Sequence, residues 1–203
     1  MGVAPPVKRL TEAEYLALER RAEIKSEFFE GEMFAMSGGT RLHSLISTNL
    51  AREFGNRLKD HRCVPYNADL RVKVMATGLL TYPDLSVVCG EPRLLDDEMD
   101  TLLNPTVVVE VLSDSTEGYD RGKKFKNYRQ IPSLREYLLV SQKEPRIEQF
   151  IRQESGFWLL REAAGIEATL ELPSLQITVA LGEVFAKVEF TPVPIRPSSP
   201  PRA

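Results

Sequence analysis

Tyr82-Pro83-Asp84 and Pro105-Thr106-Val107-Val108-Val109-Glu110-Val111-Leu112 are the two stretches whose reading decides the fold. Each reads as a β-strand carrying one carboxylate. The valine run around Glu110 lacks the polar alternation of a half-exposed strand, so it predicts a strand buried on both faces. A bare carboxylate there is costly unless it is neutralised, paired or bound to a cation. A second acid, Asp84, on a neighbouring strand suggests a hard divalent cation held by oxygen ligands. Pro83 removes a ladder donor, so its strand should lie at an edge, or bulge or bend locally, and bulges re-aim side chains beside active sites. Taken alone, Asp84 equally reads as part of a turn-entering Pro-Asp pair.

Upstream of these strands, Thr11 and Glu14 form a capping box with Leu10 and Tyr15 at hydrophobic-staple spacing, which predicts a helix from Glu12 to Glu23. Lys25 to Phe29 and Glu32 to Ser37 read as a hairpin around Glu30-Gly31. Thr40 caps a second helix reaching Lys59, with Leu42, Leu45, Ile46, Leu50, Phe54 and Leu58 as its apolar stripe. Strands are expected at Arg62 to Tyr66, Asp69 to Val74, Leu80 to Val88 and Thr106 to Leu112, with Asp96 to Asp100 as a solvated acidic loop. A third helix spans Tyr119 to Gln130 and stops at Ile131-Pro132-Ser133. Glu136 to Ser141, Arg146 to Arg152 and Phe157 to Glu162 read as further strands. The expected fold class is α/β, a mixed twisted β-sheet flanked by helices, in one domain over residues 1–190. Residues 191–203 are Pro- and Ser-rich without periodicity and read as a disordered tail.

Composition sets the outer limits. With 203 residues, 42% of them hydrophobic, the chain can bury a full core without disulfides or a structural metal. Its formal net charge of −3 gives no global positive field to recruit polyanions, so any nucleic acid must find a local basic patch. Cys63 and Cys89 show no CxxC spacing and read as reduced thiols, against a disulfide or a zinc site. No apolar run approaches membrane-spanning length and no signal-peptide core precedes the first helix, so the expectation is a cytoplasmic protein with no membrane partner.

Strand alternation puts Val108, Glu110 and Leu112 on one face of their strand. Glu110 is then either a buried acid paired with an Arg or Lys, or a metal ligand. On the third helix Phe125, Tyr128 and Ile131 define the inner stripe, and Lys124 falls within it. Its ammonium either snorkels to solvent along its own stem or meets Asp84 and Glu110; the two acids together favour the meeting. His43 shares a helix face with Ile46, Leu50 and Phe54 and points inward, as a core histidine or as a phosphate or water contact. Gly38-Gly39-Thr40 reads as a turn and cap because no lysine follows at P-loop spacing. Arg121, Lys123, Lys124, Lys126 and Arg129 give the third helix a basic face suited to phosphates.

Taken together, Glu27-Phe28-Phe29-Glu30-Gly31-Glu32, His43, Tyr82-Pro83-Asp84-Leu85-Ser86-Val87-Val88, Val109-Glu110-Val111-Leu112-Ser113, Asp120-Arg121-Gly122-Lys123-Lys124, Tyr128 and Glu136-Tyr137 resemble, in order and spacing, the Uma-type restriction-endonuclease family. This family is a branch of the PD-(D/E)XK nuclease superfamily, and the resemblance runs from Leu10 to Phe190. It implies a restriction-endonuclease-like core and a metal-dependent phosphodiesterase. Asp84 and Glu110, with the main-chain carbonyl of Val111, would then hold Mg²⁺ or Mn²⁺. The superfamily's lysine is expected two residues after the second acid, where this chain has Leu112; the matching ammonium is Lys124, relocated to the following helix. Glu27 would position a metal or a water, and His43 would contact the site. The implied partner is nucleic acid, DNA by preference, and analogy with nucleases that cut both strands implies a homodimer. The alternative is a nuclease-like fold that binds nucleic acid or a protein without cutting; a hydrolase of small phosphorylated molecules is a third reading.

Overall fold

The structure is a computed structural model and describes residues 9–190. The expected tail, 191–203, lies outside the described residues. Helix α1, Glu12–Glu19, opens on the Thr11–Glu14 capping box. It stops four residues short of the expected end because Glu19 accepts the Ser26 N–H at 2.8 Å and turns the chain back into β1, Ser26–Phe29. Strand β2, Glu32–Ala35, pairs with β1 through a tight turn in which Glu30 and Gly31 have φ of 51° and 87°. Positive φ at both central residues is what a two-residue hairpin turn demands. Only glycine fits the second position, since a Cβ on Gly31 would stand 2.7 Å from Cβ of Arg9. Helix α2, Arg41–Leu58, is capped by Thr40, whose hydroxyl accepts the His43 N–H at 3.1 Å.

The strands that follow are β3, Cys63–Asn67; β4, Arg71–Val74; β5, Leu79–Thr81; β6, Leu85–Cys89; β7, Thr101–Leu102; and β8, Val107–Val111. Sequence reading joined β5 and β6 into one strand with a local bend. Instead the chain breaks at Tyr82-Pro83-Asp84, and the halves enter different sheets. A five-stranded sheet has the order β2-β1-β5-β4-β7. A six-stranded sheet has the order β11-β10-β9-β8-β6-β3, completed by β9, Glu136–Val140, β10, Arg146–Arg152, and β11, Trp158–Ala164. Both are mixed, because β4 runs parallel to β7 and β8 runs parallel to β9. The acidic loop is solvated as expected, Asp96, Asp97, Glu98 and Met99 being exposed, and is also tied to α1: Arg20 reaches Asp96 at 2.7 Å and Asp100 at 2.8 Å.

The third helix forms in three consecutive stretches: α3, Glu117–Tyr119, a π-helical turn, Asp120–Lys124, and α4, Phe125–Tyr128. A hairpin of β12, Thr169–Leu172, and β13, Ile177–Ala180, with the short α5, Leu181–Val184, closes the described chain. Nothing in the sequence reading anticipated it. Strand β8 is buried along its whole length. Val107, Val109 and Val111 pack against Ile46, Leu50 and Phe54 of α2. Val108 and Leu112 pack with Phe125, Tyr128 and Ile131 on the other face. Each fully buried valine contributes roughly 1.5–3 kcal/mol of transfer free energy, which pins the register that carries Glu110.

The cysteines overturn the thiol expectation. The antiparallel β3–β6 register sets Cys63 directly opposite Cys89, and their sulfurs form a disulfide. Sequence spacing missed this because the partners are 26 residues apart and meet only through strand pairing.

Candidate active site

The break at Pro83 builds the site. The β6–β8 register pairs Leu85 with Val109, so continuing it past the end of β6 would set Asp84 opposite Glu110 and Pro83, which has no N–H, opposite Val111. Instead the Asp84 side chain swings into that place, and its Oδ2 accepts the Val111 N–H at 2.7 Å. The other carboxylate oxygen, Oδ1, lies 3.2 Å from Nε2 of His43. Thus Asp84 is clamped between the end of β8 and the first turn of α2. Hydrogen bonding to Asp84 raises the His43 pKa above its ordinary 6.5, against the opposing effect of burial. Gly39 closes the far side of the imidazole: a Cβ there would stand 2.7 Å from Nδ1. Gln142 fixes the N-terminus of α2 to the end of β8 by donating to the Leu112 carbonyl at 2.8 Å and accepting the Thr40 hydroxyl at 2.7 Å.

One residue before Val111, Glu110 faces the opposite side of the sheet. Its Oε1 accepts the Tyr128 hydroxyl at 2.9 Å and lies 3.0 Å from Nζ of Lys124. The inward Lys124 is 4% exposed, so it does not snorkel. Its ammonium also reaches Glu27 at 2.9 Å and Asp120 at 3.6 Å, and lies 5.9 Å from the Tyr119 ring centroid. Glu27 is in turn bonded by the Thr81 hydroxyl at 2.5 Å, from the end of β5. Asp120 and Lys124, an i,i+4 pair, open and close the π-helical turn and are both buried; such turns are frequent at functional sites.

Electrostatics couple the two halves. Burial drives the Glu110 carboxyl well above its usual range, and neighbouring Asp120 and Asp84 add to the effect while Lys124 opposes it. Asp120 is likewise raised by burial. For Lys124 burial opposes the charge, but Glu110, then Glu27 and Asp120, hold the ammonium protonated. Four carboxylates therefore share one ammonium and one imidazole.

The residues singled out from the sequence fall into two adjoining groups, Asp84 with His43 and the Val111 N–H, and Glu110 with Lys124 and Glu27. The Lys124 ammonium, expected to meet both Asp84 and Glu110, pairs with Glu110, Glu27 and Asp120 instead. Asp120, Thr81 and Tyr119 were not singled out for the site. Asp120 was legible as the i−4 neighbour of Lys124 on an inward stripe; Thr81 carried no sequence signal. The Tyr128 hydroxyl, on the inner stripe with Lys124, meets Glu110.

Hard oxygen donors at Asp84 and Glu110, in a surplus of negative charge, fit Mg²⁺ or Mn²⁺, which bind through one or two carboxylates with waters completing the shell. Among the described residues, no three His, Cys, Asp or Glu side chains converge as ready-made ligands. A hollow of 520 Å³ opens beside Asp84 and His43. Another, of 260 Å³, is lined by β10, β11 and β12 and shares no residue with the cluster.

Comparison with known proteins agrees with this architecture. The family Uma2, described as "Putative restriction endonuclease", matches residues 12–181. The uncharacterized protein slr1290 of Synechocystis sp. is 38% identical over 187 residues, covering 91% of this chain and 96% of its own. A second uncharacterized Synechocystis protein, sll1609, is 36% identical over 177 residues, covering 87% of this chain and 100% of its own. A crystal structure of a "putative nuclease belonging to DUF820" from Anabaena variabilis superposes with a TM-score of 0.69 at 18% identity. That alignment covers 85% of this chain and 96% of the other, and shows a shared fold.

Proposed function

The chain belongs to the Uma2 family, and from that premise we propose that it is a Mg²⁺- or Mn²⁺-dependent endonuclease that hydrolyses phosphodiester bonds, in DNA by preference. The observation that carries the reading is Lys124. Its ammonium arrives from a helix at 3.0 Å from Glu110, while Asp84 stands at the adjoining strand break. The superfamily's lysine has changed its element and kept its reach.

In this reading Asp84, Glu110 and the Val111 carbonyl hold the cation. The carbonyl of an extended residue lies on the same edge as its N–H, and the Val111 N–H already faces Asp84. When bound, the cation supplies positive charge to a phosphoryl oxygen and to the attacking water. Lys124 donates to that water or to the charge growing on the phosphoryl group. Glu27 holds the ammonium on station, and Tyr128 fixes the rotamer of Glu110. His43 and the Val111 N–H orient Asp84 from its two oxygens. The same proposal includes cytoplasmic residence and, by analogy with nucleases that cut both strands, a homodimer.

The test is cleavage of labelled DNA in Mn²⁺ and Mg²⁺ beside calorimetric Mn²⁺ titration. Asp84→Ala and Glu110→Ala should each abolish cleavage while circular dichroism stays native. Persistent cleavage by both variants excludes the assignment. A second reading, a nuclease-like module that binds without cutting, is favoured by one observation: the Lys124 ammonium is already held by carboxylates on two other elements. Mn²⁺ affinity lost in Asp84→Ala supports the enzyme, and indifference to metal supports the module.

A further inference from the structure

The 520 Å³ hollow beside the cluster runs between the first turns of α2 and the Asn67-Ala68-Asp69 turn, and ends on His43 and Asp84. Its lining bears on what enters it. Ser44, Ser47 and Thr48 line one wall, and neither lysine nor arginine lines the hollow. The Thr48 hydroxyl donates to the Ser44 carbonyl at 2.8 Å, and the Ser47 hydroxyl stands 3.5 Å from Nδ1 of His43. On the other wall Asn67 is occupied in a turn, its Oδ1 accepting the Asp69 N–H at 3.0 Å. Asp69 contributes a carboxylate, neutralised by Lys25, whose ammonium lies 2.5 Å from it and also donates to the Ala68 carbonyl at 2.9 Å.

A phosphate in this hollow would lie between Asp69 and Asp84 without a lining lysine or arginine to receive it. The uncharged parts of a nucleotide, sugar and base, suit hydroxyl walls better. Size narrows the choice further. At 520 Å³ the hollow has the scale of a small-molecule site, whereas a duplex is wide enough to carry a major groove about 12 Å across. Enzymes that take a nucleotide into such a site use single strands or extrude the nucleotide from its stack, at a cost of a few kcal/mol in a paired duplex.

We propose that this hollow is a subsite for the sugar and base of one unpaired nucleotide flanking the scissile phosphate, so that the preferred substrate is single-stranded or locally unpaired nucleic acid. The inference rests on the nuclease reading and narrows its substrate. His43, wedged between Gly39 and Asp84, forms the wall where subsite and cluster meet.

The experiment measures binding by fluorescence anisotropy in Ca²⁺, with a labelled single-stranded oligonucleotide, its duplex and a free mononucleotide as competitor. Cleavage in Mn²⁺ is followed separately, so a protein that binds without cutting defeats the nuclease reading and leaves the subsite under test. The wild type should bind the single strand about tenfold more tightly than the duplex. Ser44→Trp and Thr48→Trp, at exposed positions of α2, should each remove that preference by weakening the single strand alone, with Mn²⁺ affinity unchanged. Equal binding of both forms, a preference for duplex, or single-strand affinity intact in both variants overturns the proposal. A mononucleotide competing as well as the oligonucleotide overturns the polymeric substrate.

Discussion

His43 and Asp84 show how much one contact between side chains can be made to report. Hydrogen bonding to Asp84 raises the His43 pKa above 6.5. A histidine whose folded pKa is raised adds stability that is fully present below the unfolded value and is lost as pH climbs through the folded one. The stability advantage of wild type over His43→Gln should therefore shrink between about pH 6.5 and the raised folded value, as read by urea denaturation at a series of pH values. A gap that stays constant across that range removes the pair as a linked group. Gly39→Ala supplies the steric arm of the same prediction. Its new Cβ would stand 2.7 Å from Nδ1 and 3.0 Å from Cγ, so the ring must leave Asp84 and its NMR titration should fall back toward 6.5. Lys124→Met acts on the other half of the cluster, where it leaves Glu27, Glu110 and Asp120 without their shared cation. Removing one partner of such a buried set costs about 3–5 kcal/mol. Since burial already raises Glu110 and Asp120, the loss should be largest near neutral pH and diminish as pH falls and the carboxyls take up protons. Denaturation of Lys124→Met at neutral and acid pH checks the sign.

At the scale of elements, what the sequence made legible was periodicity, and what it hid was long-range pairing. Glu110 stood out because an acid inside a valine run has no cheap explanation, and Lys124 because a 3.6-residue period put it on the stripe of Phe125 and Tyr128. Both readings use neighbours within a turn or two. The π-helical turn at Asp120–Lys124 has no such signature. Neither does the passage of the chain from one sheet to another at Pro83, which read as a bend because a missing donor does not say where the next strand goes. The β12–β13 hairpin was missed although Leu170 and Leu172 alternate with exposed Thr169 and Glu171 along β12, a period-2 signal that was there to be read. Cys63 and Cys89 belong instead with the hidden pairings: the β3–β6 register joins them, and the sequence holds no local trace of it. Closing a 26-residue loop contributes on the order of 3 kcal/mol in the chain-entropy account. Reduction, or Cys63→Ala with Cys89→Ala, should lower stability by about that amount in guanidinium melts. No difference between oxidised and reduced protein would show that β3 and β6 are held by their ladder and core contacts alone. In a reducing cytoplasm the bond would be open much of the time, and the core around Cys63, built from α2 and β6, must then suffice.

For the whole molecule the deciding quantity is charge. A formal net charge of −3 means that no long-range field draws a polyanion in, so affinity must come from a few local contacts. Lys123, Lys126 and Arg129 are exposed on the helix whose buried face carries Lys124. Arg121 is withdrawn from this set by its pairs with Glu148 and Glu117. Each phosphate neutralised on a single strand steepens the dependence of log K on log salt by about 0.7, against about 0.9 on duplex DNA. Three available cations and a subsite without lysine or arginine therefore predict a shallow slope, near −2 for a single strand. Lys123→Glu and Lys126→Glu should each flatten it by about 0.7, while Mn²⁺ affinity stays unchanged because neither side chain touches Asp84 or Glu110. The measurement is oligonucleotide anisotropy from low to moderate salt. A slope steeper than about −5 would require more phosphate contacts than this face can make. It would move the nucleic acid onto a different surface, or onto one that a second copy of the chain completes. A shallow slope that does not respond to either substitution would place the phosphates away from this helix and leave the hydroxyl-lined hollow and the acid cluster to supply the grip.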